Sequence, residues 1–89
     1  MPQLDSADVM ATIRDHLLQT GHWADPPADL APDYPLLDSG VLDSLGLMRL
    51  VAHIEERFPI RIDDVDILPE NFEDLASIVR LVHEKALVE

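Results

Sequence analysis

The sequence predicts an all-α fold, a small antiparallel bundle of three main helices plus one short helix, with a long first loop. Three observations carry that expectation. Apolar residues recur at three- and four-residue intervals in three separate stretches, the signature of helices that each bury one stripe. Residues that cap or break helices bound those stretches. The one alternating segment, Ile60-Arg61-Ile62, has no second strand to pair with, so it reads as an extended linker with Ile60 and Ile62 buried.

The first helix is expected from Asp5 or Ser6, either of which can cap it, to about Thr20. Val9, Met10, Ile13, Leu17 and Leu18 form its buried side, and Asp8, Arg14 and Asp15 face the other way. Gly21 stops it in the manner of a C-terminal glycine. Residues 22 to 43 contain Pro26, Pro27, Pro32 and Pro35, which forbid a regular helix. A loop this long must pack or function. Trp23, Leu30, Tyr34, Leu36, Leu37 and Leu42 are the residues expected to fasten it, with Ser39-Gly40 as the turn into the second helix.

The second helix is expected from Ser44 to about Arg57, with Leu47, Leu50, Val51, Ile54 and Phe58 on its buried stripe. Phe58-Pro59 ends it, because the residue before a proline is pushed out of helical conformation. Asp63 to Asn71 reads as a short irregular helix, with Pro69 early in a helical turn. Asn71 is placed as the cap of the final helix, with Asp74 three positions on. That helix runs to about Ala86 and buries Leu75, Ile78, Val79 and Val82.

Composition narrows the function classes. Eighty-nine residues make one small domain, residues 1–89, with a modest core and little scaffold for a catalytic cleft. With 18 Asp plus Glu against 6 Lys plus Arg, the net charge of -12 repels nucleic acid and anionic membrane surfaces. It favours partners that present basic patches. Without cysteine, neither disulfides nor a cysteine metal site can stabilise the fold. Met1-Pro2-Gln3-Leu4-Asp5 lacks the basic and apolar regions of a signal peptide, and no apolar run spans a bilayer, so a cytoplasmic location and a monomer are expected.

The most informative stretch is Leu36-Leu37-Asp38-Ser39-Gly40-Val41-Leu42-Asp43-Ser44-Leu45-Gly46-Leu47. It is a turn that delivers Ser44 to the first turn of the second helix. The unpaired N–H groups there, with the positive end of the helix dipole, favour a phosphate attached at Ser44. The run from Asp38 to Leu45 resembles the modification site of acyl and peptidyl carrier proteins, where the serine of Asp-Ser-Leu carries a 4'-phosphopantetheine arm. The likeness continues through Leu50-Val51-Ala52-His53-Ile54-Glu55-Glu56-Arg57-Phe58, Ile60-Arg61-Ile62 and Pro69-Glu70-Asn71-Phe72, covering roughly the last two thirds of the chain.

That resemblance implies an acyl-carrier-like bundle and a covalent 4'-phosphopantetheine on Ser44. The arm would be installed by a separate phosphopantetheinyl transferase, so no catalytic base is needed and the protein is not an enzyme. It implies, as further partners, an acyl- or aminoacyl-activating enzyme that loads the thiol and an acyltransferase or synthase that accepts the cargo. Asp43, Leu45, Met48, Arg49, Ala52, Glu55 and Glu56 are the candidate docking residues. Fatty acid synthase carriers are typically acidic at the positions of Gly46 and Arg49. The neutral and basic residues here make the chain resemble discrete peptidyl, aryl or aminoacyl carriers of specialised biosynthesis, with fatty acid synthesis and D-alanine transfer as weaker alternatives.

Plainer readings compete. Ser44 can be a helix cap and nothing more, as most serines of Asp-Ser pairs at helix starts are, and the surrounding pattern is what favours the carrier. Ser39 is the rival acceptor, but Asp38-Ser39-Gly40 has the composition of a turn. An unmodified acidic interaction module using Met48 and Val51 is the alternative from another class. Leu42-Asp43-Ser44-Leu45-Gly46 half-matches a hydrolase nucleophile elbow, yet lacks its first glycine and the parallel sheet that elbow needs. His16, His22, His53 and His83 lack the four-residue helical spacing of a metal clasp and read as surface histidines. Asp63-Asp64-Val65-Asp66 lacks the glycine and closing glutamate of a calcium loop and reads as a solvated acidic turn.

Overall fold

In the computed structural model, residues 5–25 and 27–87 are described. Met1 to Leu4, where no signal peptide is read, and Pro26 lie outside them. Helix α1 (Ser6–Thr20) starts at Asp5, whose side chain accepts from Ala7 N–H, so of the two candidate caps Asp5 is the one used. Val9, Ile13 and Leu17 are fully buried, with Met10 and Leu18 packed beside them. Helix α2 (Ser44–Arg57) buries Leu50, Val51 and Ile54, and Phe58 ends it in extended conformation before Pro59. The short α3 (Pro69–Phe72) and the longer α4 (Leu75–Leu87) complete an all-α fold with four helices and no strand among the described residues. Helix α1 packs against both α2 and α4, and α3 against α4.

The loop between α1 and α2 is part of the core. Leu30, Leu36, Val41 and Leu42 are buried, and Trp23, Tyr34 and Leu37 pack against the cluster. Val41 was not legible as a core residue, because nothing local distinguishes it from its neighbours. Two backbone bonds tie the loop to the start of α4: Leu36 N–H donates to Glu73 O at 2.8 Å, and Ala76 N–H to Pro32 O at 3.0 Å. The second satisfies one of the N–H groups that a helix start leaves without an internal partner. Gly40 turns the chain toward α2 with φ 83, a conformation that favours glycine.

Gly21 ends α1 as expected, but not in the left-handed conformation common for glycine at a helix end. Its φ is -70 and its backbone is extended, so it ends α1 without using glycine's special freedom. The reason for glycine is proximity. A Cβ would sit 2.7 Å from Leu17 O and from Trp23 Nε1, and 2.8 Å from Val41 Cγ1. Trp23 Nε1 donates to that same Leu17 oxygen at 2.9 Å, so the indole closes over the end of α1 and leaves no room for a methyl group. Gly21→Ala is expected to destabilise by about 1–3 kcal/mol through this overpacking, read as a lower urea midpoint at unchanged slope.

The segment after α2 also departs from expectation. In the linker Ile62 is buried as expected, while Ile60 is only half-buried. Asp63 to Asn71 forms two pieces, a 3-10 turn (Asp64–Asp66) and then α3. Leu68 between them is extended, as the residue before Pro69 must be. Asn71 does not cap α4. It lies inside α3 and donates from Nδ2 to Asp66 O at 2.8 Å, while Asp74 Oδ1 accepts from Ser77 N–H at 2.8 Å and starts α4. The acidic turn is not simply solvated either. Lys85 Nζ on α4 reaches Asp66 at 2.8 Å and Asp63 at 3.6 Å. That pairing holds the Asp66 carboxyl below the usual carboxylate range and the Lys85 ammonium above its ordinary one.

Candidate functional site

Ser44 is the first residue of α2 and is exposed. The residue before it does the capping. Asp43 has extended φ and ψ, and its Oδ1 accepts from Gly46 N–H at 2.8 Å. The Asp43 carbonyl takes Leu47 N–H at 2.7 Å, the first bond of the helix. The Ser44 hydroxyl makes no hydrogen bond among the described residues, and the N–H groups of Ser44 and Leu45 find no acceptor there. An exposed hydroxyl without a partner among the described residues, on a helix end whose first N–H groups are likewise unpaired among them, suits a covalent phosphodiester.

Asp43 is held from two sides. Its Oδ2 lies 2.9 Å from Nε2 of His22, which comes from the loop just after α1. The Gly46 N–H first, and the His22 ring second, keep the Asp43 carboxyl below the usual carboxylate range. A depressed folded-state value means the cap contributes fully above that range and is lost as pH falls through it. Asp43, His22 and Ser44 are the residue types of a hydrolytic triad, but among the described residues the His22 ring meets Asp43 and makes no hydrogen bond to the Ser44 hydroxyl. Gly46 is half-buried and its position is tight: a Cβ would lie 3.1 Å from Asp43 Oδ1 and 3.3 Å from Leu42 Cδ1. The neutral residue at 46 therefore serves the cap as well as any docking preference.

The seven candidate docking residues are all exposed. Leu45, Met48, Arg49, Ala52 and Glu56 share one face of α2, Met48 and Arg49 each lying three or four residues from Leu45 and Ala52, and form a stripe opposite Leu50, Val51 and Ile54. Leu45 is 61% and Met48 52% exposed, so both are surface residues. Glu55 stands apart, because its Oε2 accepts from Ile62 N–H at 2.8 Å and pins the linker. Val65 and Leu68, 78% and 42% exposed, add apolar surface after α2 that periodicity did not single out.

The histidines are not uniformly surface residues. His16 on α1 and His53 on α2 are both half-buried and stack with ring centroids 4.3 Å apart. Burial first, and His53 second, push the His16 ring below its ordinary value. His22 is 64% exposed and caught by Asp43. No sequence signal links partners 21 positions apart. Among the described residues no group of three or more potential ligands could hold a metal ion, and no helix is long and apolar enough to cross a membrane.

Comparison with known proteins gives the family. Residues 19–82 match the model of the phosphopantetheine attachment site family. The chain belongs to that family, whose members carry covalently attached 4'-phosphopantetheine, and such domains interact with the enzymes that modify them and handle their cargo. It is similar to aminoacyl carrier proteins 2 and 1 of Bradyrhizobium diazoefficiens, at 33% and 34% identity over 55 residues, 62% of this chain in each case. The matched part is 61% and 60% of those relatives' lengths. A chain in a crystal structure titled as that of an FAD-dependent dehydrogenase is 36% identical, with a TM-score of 0.64, over 83% of this chain and 97% of that one.

Proposed function

We propose that Ser44 carries the phosphopantetheine and that the arm's terminal thiol holds an aminoacyl group as a thioester, which the protein presents to successive enzymes in a specialised biosynthetic pathway. The observation that carries this reading is the division of labour at the start of α2: Asp43 caps the helix, leaving the Ser44 hydroxyl exposed and without a partner among the described residues. The names of the aminoacyl carrier relatives support an aminoacyl cargo over a fatty acyl chain. The chain acts as a shuttle, with chemistry supplied by its partners: a phosphopantetheinyl transferase, a loading enzyme and an acyltransferase or synthase. Intact mass before and after incubation with coenzyme A, magnesium and a promiscuous transferase tests the attachment. One phosphopantetheine per chain is expected, and no adduct on folded protein, with a known carrier modified in parallel, would return Ser44 to an ordinary residue of the first helical turn.

The exposed stripe of α2 is the proposed docking face. Arg49 makes no ion pair among the described residues, and its helical neighbours three and four positions away are Leu45, Gly46, Ala52 and His53. A guanidinium left free in so acidic a chain suits a carboxylate on the loading enzyme. Arg49→Glu is expected to lower kcat/KM for aminoacyl loading about tenfold while leaving the helical circular dichroism unchanged. An unaltered rate would remove Arg49 from the interface. An FAD-dependent dehydrogenase is a further partner class, because the chain matched in that crystal structure aligns with this one over 97% of its length. Its flavin would take a hydride from the thioester-held group while a proton leaves to solvent, and the loaded protein would lose the mass of two hydrogens.

A further inference from the structure

We propose that the stacked rings of His16 and His53 form a pH-sensitive lock between α1 and α2, closed while His16 is neutral and weakened by a proton at its buried Nε2. The rings lie with centroids 4.3 Å apart and planes 19° from parallel, one on each helix, where α1 packs against α2. Buried neighbours on the same helices flank both, Ile13 and Leu17 on α1, Leu50 and Ile54 on α2. His16 Nε2 is buried and has no hydrogen-bond partner among the described residues. A neutral ring tolerates this with its proton on Nδ1, because only a lone pair is then left unmatched at Nε2. An imidazolium has two N–H donors, so protonation would bury one of them without an acceptor.

No carboxylate pairs with either ring among the described residues, although the chain carries a net charge of -12. On α1, Arg14 pairs with Asp29 of the loop, and Asp15 forms no ion pair with the rings among the described residues. On α2, Glu55 holds the linker, and Arg49, Glu56 and Arg57 form no such pair either. On α4, Arg80 donates to Ser77, His83 bonds Ser6 and Lys85 holds Asp63 and Asp66, while Glu84 makes no ion pair among the described residues. In the loop, His22 is caught by Asp43. His53 is therefore the titratable group that meets His16. Burial first, and His53 second, push the folded His16 ring below its ordinary value, so as pH falls the unfolded chain takes up more protons than the folded one. The stack contributes fully above the ordinary histidine range, and its contribution is lost as pH falls through that range toward the folded value. The lock does not depend on modification of Ser44, so a failed attachment leaves it standing.

The test is urea unfolding of the full chain, wild type beside His16→Phe, which keeps a stacked ring and takes no proton. Between about pH 7.5 and about pH 5.5 the folding equilibrium constant of wild type is expected to fall several-fold further than that of the variant. The remaining histidines and the carboxylates are common to both proteins, so their contributions cancel in the comparison. Equal falls overturn the inference. A second measurement needs no substitution: the His16 ring resonance, assigned through the backbone by NMR, is titrated in the folded wild type and in urea. A folded midpoint below the unfolded one is expected, and a folded midpoint equal to it or above it overturns the inference. In His53→Ala the folded midpoint should move back toward the unfolded one, because the buried edge of His16 opens to water and its stacked neighbour is gone. A midpoint unchanged in folded His53→Ala overturns the role of the stack.

Discussion

Ser44→Ala is expected to abolish incorporation of phosphopantetheine while leaving the fold in place. The two halves of that expectation have separate physical grounds. Incorporation needs an oxygen nucleophile at the attachment point, and alanine has none. The fold should survive because the helix start does not depend on Ser44: the cap is the Asp43 side chain on Gly46 N–H, and the serine hydroxyl contributes no bond among the described residues. Alanine is the most favourable residue in a helix, so the change in stability should stay within about 0.5 kcal/mol. Intact mass and thermal melting on the same sample read both quantities. Ser39→Ala is the control for the rival acceptor. The Ser39 hydroxyl donates to Leu36 O and accepts from Val41 N–H, both at 3.3 Å, so it is occupied inside the turn and its loss should leave the adduct. An adduct that persists in Ser44→Ala and disappears in Ser39→Ala would move the site into the loop.

The second large effect concerns stability. Phe72→Ala is expected to cost about 3–5 kcal/mol, a large share of the roughly 5–15 kcal/mol that holds a small domain together. Phe72 has no exposed surface and heads the ranking of fully buried side chains by volume. It belongs to α3, four residues long, which no isolated chain would keep helical. Its place is fixed by packing, and Phe72 is the buried residue of that helix. Removing the ring therefore opens a cavity and loosens α3 against α4. Urea unfolding should show a sharply lower midpoint, and Phe72→Leu should lose much less, since it keeps most of the volume. A loss under about 1 kcal/mol for the alanine variant would mean that α3 does not pack as described.

The three long helices were legible from the sequence because their cause is local. Each apolar stripe repeats at the helical period, and the end of α2 follows from the restriction that Pro59 puts on Phe58, two effects that act within a few residues. The start of α2 was legible for the same reason, and with it the placement of Ser44. Which of two competent neighbours caps the helix was not. Asp43 and Ser44 both have the chemistry of a cap, and Asn71 and Asp74 pose the same ambiguity before α4. In each pair the backbone path into the helix decides, and that path depends on where the packed loop delivers the chain. Val41 in the core, the close approach that requires Gly21, the stack of His16 on His53 and the clasp of His22 on Asp43 all join residues far apart in the chain. The amino-acid sequence by itself determined which three segments are the long helices and which hydroxyl stands at the head of the second one. Only the tertiary structure decided that this hydroxyl has no hydrogen-bond partner among the described residues and that a histidine clasps the residue before it, because contacts across 21 residues are set by how the loop packs on the bundle and leave no periodic trace in the sequence.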